Sequence, residues 1–199
     1  MMKKSVYFIT SAAIIAALYV VLTFLANALG LASMAIQVRF SEALTILALF
    51  TPAAIPGLFL GCLISNILIG SVIQDIIFGS LTTLGAAVLT YVIGRVIRSR
   101  MQKAPSKKSK TVLGILGSVL GSVPPIVGNM LVVPLVLIYA YHFTDPVVFM
   151  GHEIHAVYWF YVITVGIGEL ISCTGLGLLV SFIMRNTKLD LNLSDSLRL

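Results

Sequence analysis

The chain of 199 residues has little charge, with 7 acidic and 13 basic side chains that together make up 10% of the sequence. A soluble domain has roughly 25% charged residues, so this composition argues against a soluble domain. Cysteine is also scarce, and the two that exist, Cys62 and Cys173, each lie inside an apolar run. Two lone thiols predict neither a disulfide framework nor a metal site. Nucleophile elbows, Walker motifs and glycine-rich phosphate loops are absent too, so no enzyme activity is expected.

Apolar residues are abundant, at 59% of the chain with a mean hydropathy of +1.07. A membrane-spanning helix needs about 20 mostly apolar residues, so the chain has room for about five to seven of them. The apolar run from Val6 to Leu25 is too long for the core of a signal peptide and predicts a retained first helix. We therefore predict an all-α polytopic membrane protein with one transmembrane domain, residues 1–199.

The apolar runs predict six transmembrane helices and one basic linker. We place the helices at about 5–27, 35–50, 52–70, 76–97, 111–139 and 156–184, and the linker at 98–110. Lysine and arginine concentrate in cytoplasmic loops of membrane proteins. With six helices and both termini in the cytoplasm, every one of the 13 basic residues except Arg39 lies on the cytoplasmic side.

The outer half then collects costly polar groups, which usually have a function when they lie inside a membrane. Glu169 lies roughly 18 Å along its helix from the outer end, near the bilayer middle. Its alternative role is structural, as an interhelical hydrogen bond or an ion pair with Arg39. Arg39 and Glu42 share one face if helical, so a local ion pair is the alternative for them. We predict that four residues converge on one outward-open cavity: Arg39, Glu42, Asn129 and Glu169. Asn66, near the outer end of its helix, is a further candidate.

Two features of the last outer loop have simpler interpretations. The string His152-Glu153-Ile154-His155 lacks the spacing that places two histidines one helical turn apart, so a solvated loop is favoured over a metal site. Tyr158, Trp159 and Tyr161 lie where an interfacial aromatic belt belongs. Glu153 and Trp159 nevertheless remain candidates for ligand contact, Glu153 as a carboxylate and Trp159 as a stacking wall.

Small residues on the first helix form two pairs spaced four residues apart, a pattern that allows close helix contact. These alanines lie near Lys3 and Lys4, where a partner subunit could dock; packing inside the same chain is the alternative. The predicted docking residues are Ala12, Ala13, Ala16 and Ala17.

Two strings of the sequence resemble the queuosine-precursor transporter (QueT) family: Gln37-Val-Arg39-Phe-Ser41-Glu42-Ala43-Leu44-Thr45 and Phe50-Thr51-Pro52-Ala53-Ala54-Ile55-Pro56-Gly57-Leu58. The overall pattern is similar to the substrate-binding subunits of energy-coupling factor transporters, over nearly the whole chain. The resemblance implies a multi-pass protein of a prokaryotic cell membrane. It also implies capture of a 7-deazaguanine such as queuine or 7-aminomethyl-7-deazaguanine, and uptake driven by a transmembrane coupling subunit and two cytoplasmic ATPases. No cofactor, metal or nucleic acid is expected.

The chemistry of that ligand suits the candidate residues. A carboxylate can accept from the adjacent N1–H and 2-amino donors of the base, and an arginine or asparagine can donate to its O6. The cationic arm favours a second carboxylate. Two rivals remain open: a self-sufficient secondary transporter coupled through Glu169, which often has an internal repeat, and an intramembrane enzyme. Neither a repeat nor a nucleophile or metal set at membrane depth is evident.

Overall fold

The computed structural model describes residues 2–31 and 37–187, and within them the chain is helical apart from one small hairpin. Its elements are α1 (Met2–Ala28), a 3₁₀ helix (Phe40–Leu49), α2 (Ala54–Leu68), α3 (Ile73–Lys103), α4 (Lys107–Tyr139), β1 (Val147–Phe149), β2 (His152–Ile154), α5 (Val157–Glu169), a π-helical segment (Leu170–Leu176) and α6 (Gly177–Asn186).

Four helices in the described residues are long and apolar enough to cross a membrane. They are α1, α3, α4 and the continuous 157–186 helix that joins α5, the π segment and α6. The 3₁₀ helix and α2 are apolar but shorter, at 10 and 15 residues. At about 2.0 and 1.5 Å of rise per residue, each is about 20 Å long and covers only part of a bilayer core of about 30 Å.

The predicted linker at 98–110 is wrong in extent. Helix α3 continues to Lys103 and α4 begins at Lys107, so only three residues separate them. The residue before a proline avoids the helical conformation, and Ala104 before Pro105 is indeed extended. Ser106 then caps α4, because its hydroxyl accepts from the Ser109 amide at 3.2 Å. The backbone of these basic residues is helical, because charged side chains can be solvated from a helix as well as from a loop.

The prolines of α4 do not interrupt it, although three of them lie inside the helix. Pro125 has no amide hydrogen to donate to the carbonyl of Gly121 one turn earlier. Thr90 of α3 supplies the missing bond, with its hydroxyl donating to Gly121 O at 2.8 Å. A neighbouring helix thus compensates the proline, as expected for a membrane helix.

Close packing of α1 on α2 forms the centre of the fold. A Cβ on Gly57 would come within 2.7 Å of Ala12 O, and one on Gly61 within 2.6 Å of Tyr19 Cβ. The buried core that includes Tyr19, Leu44 and Leu58 lies at this contact. Small residues on both helices therefore allow α1 to position Tyr19 beside the 3₁₀ helix.

One end of the molecule, which we call the basic end, unites the start of α1, the turn Thr51–Ala53, the α3–α4 junction and the end of α6. Ala12 packs on Ala53 there, and Phe50 packs on Met184. Lys188 and Arg198, which the charge pattern predicts on the cytoplasmic side, lie outside the described residues. At the opposite end, the β hairpin turns through Met150 and Gly151, which both have positive φ, at 51° and 81°. Two turn residues with positive φ are typical of a tight antiparallel hairpin. The sequence pattern did not predict this hairpin.

Candidate ligand-binding site

Two buried carboxylates face each other inside the helical bundle. Glu42 lies in the first turn of the 3₁₀ helix and Glu169 at the end of α5, with 1% and 5% of their surfaces exposed. One oxygen of each, together with the thiol sulfur of Cys173, forms a set within 4.8 Å of one another. Like charges this close are costly away from water, so the arrangement needs donors or a cation to offset it.

Three side-chain donors serve the two carboxylates. The Tyr19 hydroxyl donates to Glu42 Oε1 in a short hydrogen bond. Asn129 Nδ2 donates to Glu169 Oε1 at 2.9 Å, and the Cys173 thiol donates to Glu169 Oε2 at 3.1 Å. We call these five residues the carboxylate cluster.

One acceptor of the cluster is left open. Glu42 Oε2 is buried and has no hydrogen-bond partner within the described part of the chain. An unpaired buried oxygen of a charged group is expensive, and native proteins rarely keep one without a purpose. The same holds for the buried hydroxyls of Ser41 and Ser172, neighbours in sequence of the two cluster residues Glu42 and Cys173. The cluster therefore has unused acceptor capacity that a ligand donor could satisfy.

Local backbone geometry explains how the two carboxylates reach each other. The π segment begins directly after Glu169 and contains Cys173. Such insertions in α-helices are frequent at functional sites. On the other side, a Cβ on Gly168 would overlap the carbonyl of Gln37. Only glycine lets the segment 37–39 lie directly on α5, and this contact brings the start of the 3₁₀ helix to Glu169.

A second set of polar residues, Asn66, Asp75 and Arg39, includes residues of α2 and α3. Asn66 of α2 is buried, and its amide donates to Asp75 O at 3.5 Å and to Cys62 Sγ at 3.7 Å. Arg39, which is half-buried, interacts electrostatically with Asp75 and Glu42. It also interacts with Glu169. A guanidinium thus offsets the negative charge that the two carboxylates concentrate.

The structure brings together Glu42, Asn129 and Glu169, and Arg39 interacts electrostatically with both carboxylates. Asn66 contacts Cys62 and Asp75 instead. The structure does not bring Glu153 and Trp159 to the cluster. Glu153 lies on β2 with an exposed side chain, and Trp159 is 63% exposed against the edge of Tyr158. Their contact with a ligand stays a prediction from the sequence alone.

Two members of the cluster, Tyr19 and Cys173, were missed in the sequence. Cys173 is four residues after Glu169, which places both on one helix face, and this spacing is a usable signal. Tyr19 shares a face with Ala12 and Ala16, seven and three residues earlier, so the small-residue face points to it as well. The thiol in particular was interpreted as a lone group, whereas it donates to a carboxylate.

The donor set of the cluster also bears on metal binding. Two carboxylates and a thiol could hold a cation, and the three donor atoms are close enough. The thiol donates a hydrogen bond to Glu169, however, and a metal would have to displace that proton.

The four alanines of α1 divide into two pairs. Ala12 and Ala16 are buried at 8% exposure each and contact α2 at Gly57 and Gly61. Ala13 and Ala17 are exposed. The prediction of a partner-docking surface is therefore corrected for Ala12 and Ala16, whose side of the helix is covered by the chain itself.

Comparison with known proteins gives one match. The profile of the QueT transporter family aligns with residues 9–186, which include every member of the carboxylate cluster. No curated protein and no solved structure matches the chain. Because the match covers most of the sequence, and because the described helices include four that are able to span a membrane, the protein is a transporter rather than an enzyme and belongs to the QueT transporter family.

Proposed function

We propose that this chain is the substrate-binding membrane subunit of an energy-coupling factor transporter. Its substrate would be a 7-deazaguanine precursor of queuosine, either 7-aminomethyl-7-deazaguanine or queuine. The observation that carries the proposal is the buried pair Glu42 and Glu169, with an open acceptor on Glu42, in a chain of the QueT family.

The ligand and the cluster match donor for acceptor. The base offers two adjacent donors, N1–H and the 2-amino group, and one carboxylate accepts both. The second carboxylate then accepts from the cationic arm, and charge-assisted hydrogen bonds of this kind are roughly twice as strong as neutral ones. Arg39 and Asn129 are the donors proposed for O6. The cationic arm of the ligand therefore supplies positive charge beside the two adjacent carboxylates.

The proposal includes six membrane spans with both ends in the cytoplasm. The 3₁₀ helix and α2 would form the second and third spans, because they are apolar and their turn at Thr51–Ala53 lies at the basic end. A basic end in the cytoplasm agrees with the charge bias of membrane proteins. The carboxylate cluster would then receive its ligand from outside a prokaryotic cell.

Partner subunits would supply the energy, since no nucleotide-binding motif is present in this sequence. A transmembrane coupling subunit would dock on α1, and two ATPases would act on it from the cytoplasm. The exposed pair Ala13 and Ala17 is the part of α1 that supports this docking, because small side chains permit close approach of another helix.

Calorimetry on the purified chain tests the binding site. We expect Glu169→Gln to weaken binding of 7-aminomethyl-7-deazaguanine at least tenfold, the equivalent of about 1.4 kcal/mol. Glu153→Gln is the matched control, because it makes the same substitution on an exposed hairpin residue. An analogue with a neutral nitrile in place of the aminomethyl arm should lose less affinity from Glu169→Gln if Glu169 contacts the arm. Equal affinities for wild type and Glu169→Gln would remove Glu169 from the site.

Reconstitution separates the proposal from a stand-alone secondary transporter. Vesicles that contain only this chain should bind the ligand without accumulating it. Addition of the coupling subunit and ATPases should produce ATP-dependent uptake. Accumulation by the chain alone, driven by a proton or sodium gradient, would instead establish the secondary transporter.

A further inference from the structure

A groove runs along the exposed side of α3 at the basic end, far from the carboxylate cluster. Its volume is about 510 Å³. All of its lining residues come from the last three turns of α3: Val92, Arg95, Val96, Ser99, Arg100 and Lys103.

The lining follows two rows of the helix surface. Arg95, Ser99 and Lys103 are spaced by four residues and form one row, and Val92, Val96 and Arg100 form the other. The row from Arg95 to Lys103 is about 12 Å long at 1.5 Å per residue. The groove is thus apolar toward the middle of α3 and cationic toward its end.

The three cations of the groove have no carboxylate near them in the described residues. The acidic residues of that part of the chain lie in the interior or toward the hairpin end: Glu42, Asp75, Asp145, Glu153 and Glu169. Arg98, on the neighbouring face of α3, is committed to Leu49 O and to the Tyr91 ring. Arg95, Arg100 and Lys103 instead point outward with exposed side chains. A local excess of positive charge is therefore exposed on this side of α3.

An apolar stripe continues from the groove along the same side of α3. Leu81, Val88 and Val92 are exposed, at 52%, 41% and 51%. Gly85, between them, has open space where a side chain would be. From Leu81 to Val96 the stripe is about 22 Å long, longer than one hydrocarbon leaflet of about 15 Å. A hydrocarbon chain could therefore lie on the helix directly below the cations.

We propose that this groove binds the headgroup of an anionic phospholipid, with an acyl chain lying on the apolar stripe. Guanidinium groups bind phosphate oxygens through two parallel hydrogen bonds, and the lysine adds a point charge. Basic pockets at the cytoplasmic side of membrane proteins bind such headgroups, and each cation near an anionic surface adds to the attraction. The Ser99 hydroxyl is a further donor to the phosphate or glycerol oxygens.

Lipid retention by the full chain tests the proposal. The purified protein is titrated with phosphatidylglycerol in detergent, and bound lipid is counted by native mass spectrometry. We expect the triple variant Arg95→Gln, Arg100→Gln, Lys103→Gln to bind at least tenfold more weakly than wild type. The matched control is Lys107→Gln, Lys108→Gln, Lys110→Gln, which removes the same charge from exposed residues at the start of α4. It should change affinity less than twofold.

Two further arms identify the source of the affinity. Phosphatidylcholine should bind wild type at least tenfold more weakly than phosphatidylglycerol, and glycerol phosphate without acyl chains should not compete. Equal losses in the two triple variants would show diffuse charge attraction and overturn the groove as a site. Full competition by glycerol phosphate would overturn the lipid as its occupant. Melting temperatures and binding of 7-aminomethyl-7-deazaguanine verify that both variants fold.

Discussion

The interior of the bundle and the basic end both hold charged groups inside an apolar protein, but they satisfy them differently. At the basic end, Arg98 donates to Leu49 O, and Arg185 donates to Gly114 O at 3.1 Å and lies 5.2 Å from the Phe50 ring. Those arginines tie helix ends together through backbone carbonyls. In the carboxylate cluster, the donors leave Glu42 Oε2 without a partner. The difference indicates that Arg98 and Arg185 maintain the fold, and it supports the proposal that the cluster binds a ligand.

The largest effect on ligand affinity is expected from Glu42→Gln. It removes a charge and replaces the open acceptor with an amide donor, so ligand binding should fall at least a hundredfold, or about 2.8 kcal/mol. Loss of a buried charge should not destabilise the fold, and the melting temperature should stay within about 3 °C. Calorimetry and thermal unfolding measure the two quantities. A large drop in melting temperature with unchanged affinity would give Glu42 the structural role.

Gly168→Ala should weaken ligand binding by about tenfold, which corresponds to roughly 1.4 kcal/mol. The new methyl group would overlap Gln37 O, so the segment 37–39 must move off α5 and carry Glu42 away from Glu169. Gly85→Ala is the control, because a Cβ there meets no atom within 4 Å. That variant should bind normally and gain about 0.5–1 kcal/mol of stability. Unchanged affinity in Gly168→Ala would show that the segment does not position the cluster.

Arg185→Met should leave affinity within twofold of wild type and should lower stability. It removes the hydrogen bonds to Gly114 O and Ser181 Oγ, which are worth about 1–2 kcal/mol together in a membrane protein. Lys110→Met, at the exposed start of α4, should lower the free energy of unfolding by less than Arg185→Met does. Denaturant unfolding in detergent measures both. A loss of ligand affinity comparable to that of Glu42→Gln would end the distinction between the two regions.

The smallest effect on binding is expected from Ala13→Trp, which should leave the affinity of the isolated chain intact and prevent assembly with the coupling subunit. Ala12→Trp is the comparison, since Ala12 packs on Gly57 and its enlargement should destabilise α1 on α2. Co-purification and calorimetry on the same samples decide between them. Normal assembly and full transport by Ala13→Trp would exclude this face as the docking surface.

Much of the fold follows from composition and hydropathy. The first helix, predicted at 5–27, is found at Met2–Ala28, and the last, predicted at 156–184, corresponds to residues 157–186. Boundaries were wrong where polar residues continue a helix, as at the α3–α4 junction. The hairpin was missed because its strands are three residues long, too short for an alternating pattern.

The candidate site was predictable in part, for a physical reason. A carboxylate inside an apolar run is costly in a membrane, so Glu42 and Glu169 are conspicuous without any structure. Tyr19 and Cys173 are not marked by such a cost, because a tyrosine or a thiol in a helix is inexpensive and common, and only their spacing from Ala16 and Glu169 points to them. Whether their side chains donate to a carboxylate depends on which helices pack beside them.

The sequence alone determined that this protein has the apolar helices of a membrane protein and that Glu42 and Glu169 lie inside apolar runs, because hydropathy and charge act residue by residue. Only the tertiary structure decided which of those groups meet. The contact of Gly168 with Gln37, the packing of Ala12 and Ala16 on α2, and the π segment after Glu169 join residues that are distant in sequence. Contacts of this kind depend on backbone shape and close packing between helices, which no local pattern of residues specifies.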